Sequence, residues 1–111
     1  MDEGKLPVAI FNGPICTTNG LYRISEITIQ EAQDLIKTHG FVSAVGHKAS
    51  AEVLSAVLKA QIPMNRIQFS QSVGQKAIAL MLNTRPPEGT VLSTKEMLAV
   101  GFTLKLMERL E

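Results

Sequence analysis

Apolar positions along this chain come in short blocks, and the spacing inside each block names the element it builds. Val8-Ala9-Ile10-Phe11 closes an apolar run from Lys5 to Phe11 that stops at Asn12-Gly13-Pro14, predicting a buried strand and a tight turn. After Asn19-Gly20, Tyr22, Ile24 and Glu26 alternate with Arg23, Ser25 and Ile27, which predicts an edge-like strand over Leu21 to Thr28. Thr28 then opens a helix with Glu31 three residues on as a capping box. Ile29, Ala32, Leu35 and Ile36 form its apolar stripe, and Gly40 stops it.

Phe41 to Val45 reads as a second buried strand, with Gly46 expected to turn the backbone and His47 at its lip. Ser50 is expected to cap a helix running to Ala60, with Val53, Leu54, Val57 and Leu58 inward and Pro63 beyond its end. Arg66 to Gln71 and Lys76 to Leu82 predict two antiparallel strands around Ser72-Val73-Gly74. A loop from Asn83 to Thr90 holds Pro86-Pro87 and Gly89. Ser93 caps a third, short helix with Glu96 at the box position and Leu92 stapling towards Met97. Phe102 to Met107 gives the last strand. This order predicts an α/β fold: one domain over residues 1–111, with a mixed sheet of five to six strands and about three helices.

Composition narrows the function classes. With 45% hydrophobic and 19% charged residues over 111 positions, the chain has a globular balance and can bury roughly 60–70% of its unfolded surface. A net charge of +1 gives no general basic field for nucleic acid or membrane, so an anionic ligand must be held by local geometry. Cys16 is alone, which rules out an internal disulfide and fits a reducing cytoplasm; as a lone cysteine it reads as a small buried hydrophobe. No signal peptide and no membrane-length apolar run is present.

No metal-ligand spacing, P-loop, dinucleotide fingerprint or nucleophile elbow occurs, so neither a metal nor a cofactor is expected. What remains is a polar set at strand ends: Asn12, His47, Arg66, and the loop pair Arg85 and Glu88. Arginine suits phosphate, asparagine suits a base edge or ribose, and a carboxylate can favour a protonated imidazole. Each also has a plain structural use. A lone histidine can simply bond a backbone carbonyl, and Arg85 with Glu88 can be a surface ion pair worth about 0–1 kcal/mol. His39, in the last turn of a helix, is explained by the helix dipole.

Taken together, Asn12, Val45-Gly46-His47 with Ser50, Pro63-Met64-Asn65-Arg66-Ile67, and Arg85-Pro86-Pro87-Glu88-Gly89 with Leu92 resemble the anti-CRISPR ring nucleases of type III systems. That family spans archaeal viruses, bacteriophages and bacterial mobile elements, with cellular homologues. The resemblance covers nearly the whole chain and rests on the joint match rather than on one motif. It implies metal-independent cleavage of cyclic tetra-adenylate into linear adenylates ending in a cyclic phosphate. By matching positions it implies His47 as general acid, Glu88 as its catalytic helper, and Asn12, Ser50, Arg66 and Arg85 as ligand contacts. Ala49 departs from a Ser/Thr pair found after the histidine in the family, and Gly13-Pro14-Ile15 matches only loosely. A homodimer is expected, because two copies of Arg66 and Arg85 supply one guanidinium for each phosphate of a two-fold ring. The Asn83 to Thr90 loop would act as a lid. A non-cleaving sponge or sensor, or a small interaction protein without a cyclic ligand, are the other readings open to the same residues.

Overall fold

The computed structural model describes residues 6–13, 16, 18–83 and 93–111. Their order is β1 (Val8–Phe11), β2 (Tyr22–Ile27), α1 (Ile29–His39), β3 (Phe41–Ser43), α2 (Lys48–Leu58), β4 (Lys76–Leu82), α3 (Thr94–Val100) and β5 (Phe102–Arg109). The strands form one mixed sheet in the order β2-β5-β4-β1-β3. At its centre β1 pairs in parallel with both β3 and β4, so Ala9 lies between Val42 and Ala77. The antiparallel part follows, with β4 against β5 and β5 against β2. The fold is α/β, a single domain with a five-stranded mixed sheet and three helices among the described residues.

The period-two alternation of β1 and β4 divides the interior in two. Val8, Ile10, Ile78 and Leu80 face the helices, meeting Ala32 and Ile36 of α1, Val53, Leu54 and Leu58 of α2, and Met97 of α3. Ala9, Phe11, Ala77 and Ala79 face the other way, into a smaller cluster with Ala44 and Met107. Both capping boxes form: Thr28 with Glu31 on α1, and Ser93 with Glu96 on α3. Gly40 ends α1 at φ 73°, a backbone that glycine adopts without strain.

The chain from 66 to 71, expected as a strand paired with β4, is not one. Both ladder sides of β4 are already taken by β1 and β5, which leaves no edge for a further strand. The segment instead crosses the second face of the sheet, where Phe69 meets Phe11 edge-on with ring centroids 6.0 Å apart. It is tied down by Gln71, buried to 1% exposure, whose Nε2 donates to the Gln75 and Met107 carbonyls at 2.7 and 2.9 Å. Arg109 Nη1 donates to the Gln71 carbonyl at 2.5 Å.

Five smaller expectations also change. The third strand ends at Ser43 rather than Val45, because residues 63–66 bond along its outer side. The second helix begins at Lys48, so Ser50 lies inside its first turn and is not its cap. It ends at Lys59, which holds a left-handed φ of 54°, four residues before Pro63. The fifth strand runs on to Arg109. Cys16, read as a small buried hydrophobe, is exposed.

Candidate active site

Parallel strands β1 and β3 end side by side, and the chain leaving each carries one of the polar residues singled out above. Asn12 follows β1 directly. Its side-chain Oδ1 accepts the Gly46 N–H at 3.2 Å, joining the two strand ends across 34 residues of sequence. Arg66 approaches from the segment 61–66 and donates its Nε to the Gly46 carbonyl at 2.8 Å. Gly46 is not in a left-handed conformation, so its expected role as a turn glycine does not hold. Its lack of a side chain instead allows close approach: a Cβ there would stand 3.4 Å from Arg66 Cγ.

Arg66 is delivered by its neighbour Asn65. The Asn65 N–H donates to the Val45 carbonyl at 2.7 Å, and its Nδ2 donates to the Ser43 carbonyl at 2.8 Å. Ser43 Oγ adds a bond to the Pro63 carbonyl at 2.6 Å. These contacts also occupy the otherwise open side of edge strand β3. The role of Asn65 was not drawn from the sequence, where it reads only as a turn residue next to a proline.

His47 is the N-cap residue of α2, with extended φ −137° and ψ 127°, and its side chain caps no helix N–H. The residue is half-buried. Its Nδ1 is enclosed and has no hydrogen-bond partner among the described residues. The uncapped first turn of α2 adds partial positive charge beside it, with Lys48 as the first helical residue and no carboxylate in that turn. Beyond Arg66 Nε, the guanidinium takes no hydrogen bond among the described residues, leaving its terminal nitrogens for an anion.

Beside Asn12 opens a cavity of about 440 Å³, lined by Phe11, Asn12, Gly13, Ala44 and residues 67–70, with neither His47 nor Arg66 among its walls. It lies outside the carboxyl ends of the parallel strands, where sheets of this kind hold ligands. The expected residues divide clearly. Asn12, His47 and Arg66 are brought together around Gly46. Ser50 is buried on α2 with its hydroxyl turned to Met97 Sδ at 3.9 Å, facing α3 rather than solvent. Arg85, Glu88 and the expected lid lie outside the described residues, as does the Leu92 staple. His39 sits at the opposite end of β1, beside Leu6, Val8, Gly74 and Lys76. Among the described residues no group of three or more His, Cys, Asp or Glu could hold a metal ion. No described helix is long and apolar enough to cross a membrane.

The architecture matches B116 of Sulfolobus turreted icosahedral virus with a TM-score of 0.67, over 93% of this chain and 99% of that one. Sequence identity to it is 19%, so the likeness is one of fold. Uncharacterized protein 26 of Sulfolobus islandicus filamentous virus (isolate Iceland/Hveragerdi) is 43% identical over 84 residues, 75% of this chain and 71% of that protein. Uncharacterized protein ORF117 of Acidianus two-tailed virus is 42% identical over 93 residues, 81% of this chain and 80% of that protein. A bacterial relative, uncharacterized protein YddF of Bacillus subtilis (strain 168), is 30% identical over 108 residues and spans 96% of this chain and 100% of its own length. With the STIV B116-like pattern matched over residues 8–104, this chain belongs to the STIV B116-like family.

Proposed function

We propose that this protein is a metal-independent ring nuclease that binds cyclic tetra-adenylate and cleaves it, countering or switching off type III CRISPR signalling. The observation that carries the reading is that Asn12 and Arg66 both bond the Gly46 backbone, immediately before His47, at the ends of β1 and β3. An RNA linkage contains its own nucleophile, the 2′-hydroxyl. What the protein must supply is in-line placement, worth roughly 7–11 kcal/mol in favourable cases, and a proton for the leaving 5′-oxygen. An imidazole, able to give up a proton near neutral pH, suits that second task. The terminal nitrogens of Arg66 and the uncapped start of α2 suit the phosphate between the two oxygens.

Glu88 and Arg85 enter this reading through the resemblance: Glu88 favours the protonated imidazole, and Arg85 adds a second guanidinium. A two-fold homodimer would present Arg66 and Arg85 to all four phosphates and His47 to opposite linkages. Two of the relatives are viral proteins, and the proposed role would be exercised in the host cytoplasm. Ser50, with its hydroxyl on Met97, is left out of the contact set.

The test is chromatography of cyclic tetra-adenylate after incubation with the protein in the presence of a chelator. The parent is expected to yield linear di-adenylates with cyclic-phosphate ends, and His47→Ala to slow this by about 10²–10⁴-fold. An intact ring from a parent that binds it tightly would instead identify a sponge. No ring binding, with salt-sensitive binding to duplex DNA, would sink both.

A further inference from the structure

Two successive peptide groups lead into His47, and both are gripped from outside their own segment. The Val45–Gly46 peptide accepts the Asn65 N–H at its carbonyl, 2.7 Å, and gives its own N–H to Asn12 Oδ1, 3.2 Å. The Gly46–His47 peptide accepts Arg66 Nε at 2.8 Å. Beyond it, the His47 carbonyl accepts the Ala51 N–H at 3.0 Å as α2 begins. Since the His47 side chain makes no cap bond, these backbone contacts are what fix its Cα and the vector from which its ring departs.

We infer that Asn12 is a positioning residue, holding the Gly46 N–H so that the backbone leading into His47 is set for proton transfer. This rests on the ring-nuclease reading for its catalytic meaning, but the geometry stands on its own. Asn12 follows four residues of β1 that are all buried, so its backbone is anchored in the core. Arg66 and Asn65, by contrast, sit on a segment outside the sheet. Of the bonds that hold the peptides before His47, the one from Asn12 starts from the residue directly after a buried strand. The Asn12 amide oxygen meets the Gly46 N–H, while its Nδ2 makes no hydrogen bond among the described residues.

The chemistry separates the two roles of Asn12. Aspartate keeps the acceptor oxygen for Gly46 but carries a charge that repels phosphate, and alanine keeps neither. Amide exchange at Gly46 and the His47 ring signals by NMR are to be compared in the parent, Asn12→Ala and Asn12→Asp. Positioning requires fast Gly46 exchange and displaced His47 signals in Asn12→Ala, with both returned towards the parent in Asn12→Asp. In single-turnover cleavage of cyclic tetra-adenylate, Asn12→Ala is expected to lose about 10²-fold in rate with ring affinity kept. Asn12→Asp is expected to recover most of that rate. The inference is overturned if Gly46 exchange and the His47 signals do not respond to Asn12→Ala. It is equally overturned if both variants lose affinity for the ring, with Asn12→Asp the worse. A parent that leaves the ring intact removes the ring-nuclease reading alone, because the NMR comparison still decides whether Asn12 aims His47.

Discussion

Glu31 and Glu96 each reach back from the third residue of a helix to the N–H of its cap, Thr28 at 2.9 Å and Ser93 at 3.0 Å. Those backbone bonds, with the cap hydroxyls second, hold both carboxyls below the usual glutamate range. A carboxyl lowered by folding contributes stability that is complete above its unfolded pKa and lost as pH falls through its folded one. Stability is therefore expected to drop on the acid side of the ordinary glutamate range. The double variant Glu31→Gln, Glu96→Gln should flatten that limb in urea titrations run across pH, and an unchanged slope would count against it. Thr28→Ala and Ser93→Ala should each cost about 1 kcal/mol at neutral pH. Both boxes were readable in sequence because their partners lie three residues apart. The pairing of Asn12 with Gly46 was not, since nothing local links positions 34 residues apart. The ligand-contact role of Asn12 is what the family resemblance implies, and it stands beside this bond.

Elements were legible where the pattern alone decides them. The apolar run of β1, the stripe of α1 and the Ser93 start of α3 all stand where the spacing put them. The segment 66–71 misled because Ile67, Phe69 and Gln71 alternate as a strand would, while pairing depends on which edges remain open. Likewise, Ser50 was taken for a cap by residue type, whereas the first turn of α2 starts at Lys48 after a histidine that makes no cap bond. At the other end of α2, Lys59 is the one non-glycine with positive φ among the described residues. Left-handed backbone costs a residue with a Cβ roughly 1–2 kcal/mol, so Lys59→Gly is expected to stabilise the fold by about 1 kcal/mol. Thermal melts of the pair check this; a lower melting temperature for the glycine variant would contradict it.

Across the whole molecule, the sheet is covered unequally. One face carries three helices and branched aliphatic side chains, the other a crossing segment over alanines and Phe11. Gln71 is the main tie on the thinner side, and Gln71→Leu would strip the Gln75 and Met107 carbonyls of their buried donor. That loss is expected to destabilise by about 1–3 kcal/mol in denaturant titrations, and a neutral result would show that the tie is unimportant. The broad architecture was readable from composition and period, but this inequality was not, because it depends on where a stretch without regular structure comes to rest.

Arg66 reaches the Gly46 carbonyl from a segment without regular structure, while His47 begins the helical side. Gentle warming is expected to free that segment before the sheet melts, so that amide exchange at residues 66–71 quickens while circular dichroism still reads native. On the proposed function, ring binding would be lost within that same interval.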